Sequence, residues 1–133
     1  MKEKFLRFSE IFAFLKRSIV MNSPTYVSKK PSGKGYNHVT FVVKCSDGYY
    51  EFGFYGLGKN NENKKAVTID KYSAISGEAV FAGNSSKSLQ ELINYARAYA
   101  NLDYNVVTNN CGDFTKYMCR YAGVVYPFGA TIF

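Results

Sequence analysis

The chain reads as an α+β domain built on an antiparallel sheet, a fold class that three observations predict. Residues 38–44, "HVTFVVK", and 49–56, "YYEFGFYG", are β-branched and aromatic, and the Asp-Gly step between them is a strong hairpin signal. Two later segments, around residues 90 and 115, repeat apolar residues at helical spacing. The strand-like segments come as a run, not in alternation with helices, which favours antiparallel pairing over βαβ units.

The elements follow in order. Phe5, Phe8, Phe12, Leu15 and Ile19 fall on one helical face, so residues 1–20 form an N-terminal amphipathic helix. Its longest unbroken apolar run is "IFAFL"; Arg7, Glu10, Lys16 and Arg17 interrupt the rest, and neither a membrane-spanning helix nor a secretory signal fits. Packing on the domain's own core is the favoured role of residues 5–19, with peripheral membrane contact as the other. Residues 21–37, with Pro24, Pro31, Gly33, Gly35, Lys29, Lys30 and Lys34, read as a basic loop.

Strands are predicted at 38–44, 49–56, 65–70 ("KAVTID") and 77–83 ("GEAVFAG"). With Asp47 and Gly48 as a two-residue turn, Lys44 faces Glu51, Val42 faces Gly53 and Thr40 faces Tyr55. Val39, Phe41 and Val43 then share an apolar face with Phe52 and Phe54, and His38 lies on the other face, diagonal to Tyr55. A helix over 86–102 buries Leu89, Leu92, Ile93, Ala96 and Ala100, with Ser86 or Ser88 as its cap. "YNVV", 104–107, is a short strand. The final helix runs from Asn110 to Ala122, where Gly123 supplies a left-handed stop, and 124–133 close the chain as an extended tail.

At 133 residues this is one domain, 1–133, with 38–126 as its core. Seventeen basic residues against 10 acidic give a net charge of +7, but the lysines are scattered and no nucleic-acid motif is present. Nucleic acid is therefore disfavoured as a partner, and a non-catalytic basic module binding nucleic acid or an acidic protein is the reading from outside the enzymes. Cys45, Cys111 and Cys119 make no disulfide framework, since Cys111 and Cys119 are separated by roughly 12 Å of helix rise. Free thiols suit a reducing, cytoplasmic setting. No Cys/His spacing holds zinc, so neither a metal nor an organic cofactor is expected.

The candidate chemistry lies at Cys111. Asn110 fits an N-cap and Asp113 can reach back to the cap's amide, which places Cys111 in the first helical turn. Unpaired N–H groups and the helix dipole there favour a thiolate and can hold an oxyanion. The competing reading is burial, because Cys111 continues the apolar face of Phe114, Met118 and Ala122. Cys119, in mid-helix, and Cys45, at the hairpin, read as structural. His38 is the only histidine and begins a strand. A lone histidine is more often a satisfied surface group, but a fixed imidazole beside an activated cysteine is the pattern of a thiol hydrolase. Glu51, paired with Lys44, is a poor orienter for it; Tyr55 is the candidate orienter, and a Cys–His dyad is the reading adopted.

These stretches together resemble the circularly permuted papain fold, in which the histidine strand precedes the cysteine helix. The resemblance is nearest to the PPPDE-type peptidases, the deSUMOylating isopeptidase group. It is carried by "HVTFVV" from His38, by "YYEFG" with Phe52 and Gly53, by "LQELINYARAY", and by Tyr104, Asn105, Asn110, Cys111 and Phe114. It covers about residues 36–126 and implies a Cys111–His38 dyad that cleaves amide or isopeptide bonds through an acyl-enzyme, on a protein or peptide substrate such as a ubiquitin-like conjugate. "TNNCGDFTKYMCRYAG" is also similar to the lecithin:retinol acyltransferase-like group, which implies lipid acyl transfer or phospholipase action, and to NlpC-type cell-wall peptidases. This chain lacks the second histidine usual in the former and the polar third residue common in the latter.

Overall fold

The computed structural model describes residues 22–33, 35–56, 65–99 and 109–127. Five strands, β1 (Ser23–Pro31), β2 (Asn37–Cys45), β3 (Gly48–Gly56), β4 (Lys65–Tyr72) and β5 (Glu78–Ser85), precede two helices, α1 (Leu89–Ala98) and α2 (Cys111–Ala122). All strand pairs are antiparallel and the sheet order is β4-β3-β2-β1-β5. The α+β class expected from the sequence is thus the one observed. The expected helix over 1–20 and the short strand over 104–107 lie outside the described residues.

The basic loop expected over 21–37 is instead mostly β1, an interior strand between β2 and β5. Its prolines do not break it because they sit near its ends, Pro24 at the second position and Pro31 at the last. Between them Val27 points into the core while Tyr26 and Lys30 point away from it, the alternation of a strand.

The hairpin register differs from expectation by two residues. Cys45 pairs with Gly48, Val43 with Tyr50, Val42 with Glu51 and Phe41 with Phe52. Ser46 and Asp47 are the turn residues, and Asp47 does not take the positive φ that an Asp-Gly turn of the expected kind requires. Gly48 uses its freedom differently: at φ 142 it starts β3, and a side chain there would come within 2.9 Å of the Tyr72 carbonyl oxygen. An even shift leaves every side chain on its predicted face, so the apolar face was right although the pairing was not.

That inner face carries both helices. Val27, Phe41 and Phe52 lie side by side across three strands, and Phe54, Leu92, Ala96, Phe114, Met118 and Ala122 complete the core around them. Phe54 packs edge-on to Tyr99 at 4.9 Å and stacks with Phe114 at 5.9 Å. Each such phenylalanine contributes about 1.5–3 kcal/mol by leaving water. Ser88 caps α1 reciprocally with Glu91, settling the choice between two serines, and Leu89, Leu92 and Ala96 form its buried side. Among the described residues no helix is long and apolar enough to cross a membrane.

Candidate active site

The start of α2 is built as its sequence predicts. Asn110 is extended, and its Oδ1 accepts the Gly112 and Asp113 amides at 2.9 and 3.1 Å. The Asp113 carboxylate accepts the Asn110 amide at 2.9 Å, closing the capping box. At the other end Gly123, at φ 79, lets its own N–H reach Arg120 O and that of Val124 reach Cys119 O, the double bond of a Schellman stop. Cys111 is therefore the first residue of a helix fixed at both ends.

The sulfur meets β2 where that strand loses its neighbour. The β2–β3 ladder ends at Phe41 and Phe52, while β3 runs on beside β4 as far as Gly56 and Lys65. The peptide of Val39 is taken by α2 instead. Its N–H donates to Cys111 Sγ at 3.4 Å, and its carbonyl oxygen lies 3.3 Å from the Thr115 hydroxyl, which is also 2.8 Å from Cys111 O. The thiol itself donates to Asn37 O at 3.7 Å. Asn37 and Val39 flank His38, so the thiol is seated on the peptide groups either side of the histidine.

The imidazole leaves the strand on the face away from the helices. Cross-strand pairing puts His38 beside Lys30, and its ring lies against that of Tyr55, 4.2 Å between centroids and tilted by 31°. Both residues lie beyond the last β2–β3 pair, Phe41 and Phe52, so the ring contact and not a ladder pairing joins them. The Tyr55 ring is thus the aromatic group that the imidazole touches. His38 Nε2 is buried and has no hydrogen-bond partner among the described residues. Glu51 is not paired with Lys44, as the sequence suggested. Its carboxylate accepts the Thr40 hydroxyl at 2.6 Å and lies 4.0 Å from Lys30 Nζ.

Protonation corrects a further expectation. Burial pushes the Cys111 thiol pKa up, and the amides of Val39, Gly112 and Cys111 oppose that rise without reversing it; the Asp113 charge adds to it. The helix start was expected to favour the thiolate, but at 0% exposure the loss of water outweighs the donors. Burial, then the nearby Lys30 charge, lowers the His38 pKa from 6.5 to about 4. At neutral pH the resting pair is accordingly a thiol and an uncharged imidazole.

Cys119 is equally buried and its pKa rises to about 12 through burial alone. All three cysteines are free thiols. Among the described residues no cluster of His, Cys, Asp and Glu could hold a metal ion. Of the expected site residues, Cys111 is brought to the peptide groups around His38 and Tyr55 to its ring, while among the described residues no hydrogen bond joins the imidazole to the sulfur. Thr115 was missed; its signal was its place four residues after Cys111, one turn along the same helical face. Set against protein-family models, curated proteins and solved structures, the chain has no match.

Proposed function

We propose that the chain is a thiol hydrolase of amide or isopeptide bonds, with Cys111 as nucleophile and His38 as the base. The single observation that carries this reading is the seat of the sulfur, at the first position of a capped helix and hydrogen-bonded to both peptides that flank the histidine. A merely space-filling thiol needs no such seat.

In this reading the imidazole, which at rest lies against Tyr55 on the other face, must first turn toward Sγ past the strand segment that β3 has left. The thiol proton, held toward Asn37 O at rest, then passes to it as Sγ attacks the substrate carbonyl. The C–S bond forms and the carbonyl oxygen takes the negative charge. Asn110 already occupies the Gly112 and Asp113 amides with its side chain and that of Phe114 with its carbonyl, so the Cys111 amide is the donor left for that oxygen. The imidazolium then returns its proton to the leaving amine as the C–N bond breaks. Water hydrolyses the thioester, giving the acid and restoring the thiol.

The test uses a ubiquitin-like protein carrying a fluorogenic C-terminal amide, with a short-chain lipid ester in parallel. Amide turnover should vanish in Cys111→Ala and persist in Cys119→Ala; amide turnover surviving in Cys111→Ala ends the proposal, and turnover of the ester alone moves it to acyl transfer. The pH profile adds a second reading. A base whose pKa is lowered stays competent as pH falls past 6.5, so kcat/KM should drop only near pH 4. Removing the Lys30 charge, as Lys30→Met, should move that acid limb upward.

A further inference from the structure

The outer face of the sheet carries neither helix, yet it is strongly aromatic at one end. Pairing places Phe81, Tyr26, Val42, Glu51 and Asp70 in one row across all five strands, with Lys44, Tyr49 and Tyr72 in the next. Tyr26 packs edge-on to Phe81 at 5.7 Å and to Tyr49 at 6.4 Å, and Lys44 Nζ lies 5.9 Å from the centre of the Tyr49 ring. Phe81 is 55% exposed and Tyr72 49%, while Val42 between them is 1% exposed on a side that α1 and α2 leave uncovered.

We propose that residues 5–19 dock on this face through the stripe Phe5, Phe8, Phe12, Leu15 and Ile19. The chain enters the sheet at Ser23, at the aromatic end of β1, so residues 20–22 separate the stripe from β1 and residues 20–25 separate it from Tyr26. As a helix, fifteen residues reach about 22 Å. Four interstrand spacings amount to about 19 Å, the distance from β4 to β5 that such a helix would cross. Charge fits as well: the segment carries Arg7, Lys16 and Arg17 against the single Glu10, and Glu51 and Asp70 stand at the β3–β4 end of the first row. The amphipathic stripe thus buries against its own sheet. The inference does not rest on the thiol chemistry: it concerns the far end of the outer face, two rows along β2 from His38.

The chain has no tryptophan, so Phe12→Trp in the full chain is an unambiguous reporter. Expected in lipid-free buffer is a blue-shifted emission with acrylamide quenching several-fold weaker than for free indole, unchanged on dilution. Adding Phe81→Asp, or separately Tyr72→Asp, should restore water-exposed emission while circular dichroism keeps the strand signal. Both substitutions are at half-exposed sites on the outermost strands, so the sheet tolerates them. Exposed emission in buffer, shielding that needs anionic phospholipid vesicles, shielding that grows with protein concentration, or shielding indifferent to both substitutions would each overturn the proposal.

Discussion

Two thiols on one helix, at 0% and 1% exposure, have different surroundings. Cys119 sits in mid-helix, and nothing but the loss of water moves its pKa. Cys111 sits at the helix start, where three amides work against the same loss of water and where a neighbouring strand offers it one donor and one acceptor. Burial therefore does not distinguish a structural cysteine from a candidate nucleophile; the polar seat does. The seat depends on how the first turn of α2 is held, and three substitutions probe that dependence.

The largest effect is expected from Phe114→Ala. Phe114 is fully buried, one turn beyond Cys111, between Phe54, Tyr99 and Tyr117 at 5.9, 5.1 and 6.2 Å. Emptying that space should cost about 3–5 kcal/mol in urea denaturation, because a ring cluster collapses poorly around a missing member. If the two ends of α2 were equivalent, Met118→Ala would release both thiols to alkylation as readily as Phe114→Ala. The expectation here is that Phe114→Ala exposes Cys111 first.

Asn110→Ala comes next. It removes the acceptor of two amides and breaks the capping box, for about 1–2 kcal/mol. Iodoacetamide labelling followed by mass spectrometry should then change at Cys111 and hardly at Cys119. Equal change at both would mean that the cap merely stabilises the helix as a whole.

Much of this frame was legible from residue type and spacing. Asn110, Asp113 and Gly123 announced both ends of α2, because capping is local chemistry; for α1 the sequence offered Ser86 or Ser88, and the capping box with Glu91 forms at Ser88. The inner face of the β2–β3 hairpin was legible too, since side-chain alternation survives a slip of two. What was hidden depends on distant neighbours. Pro24, Pro31 and the lysines of β1 disguised a strand that exists because β2 and β5 pair with it on either side. The turn moved to Ser46 and Asp47, where Gly48 is needed against the end of β4. At Cys111 the sequence showed the donors but not the burial that outweighs them.

The smallest effect, and the most specific, is expected from Thr115→Val. The hydroxyl stands between Val39 O and Cys111 O and has one proton to give, so it links the helix turn beneath the sulfur to the strand that carries His38. Valine keeps the shape and removes the donor. The Cys111 carbonyl remains within its helix, while the Val39 carbonyl, on a strand segment that β3 has left, loses its contact with α2. The expected cost is about 1 kcal/mol, the net value of one buried hydrogen bond. Its signature should lie in position more than in stability. With the Val39 peptide freed on its carbonyl side, the N–H donated to Cys111 Sγ should loosen, and amide hydrogen exchange at Val39 should quicken more than at Phe41. Exchange unchanged at Val39 would mean that the sulfur alone holds the strand, and the seat would then be a single contact instead of a pair one helical turn apart.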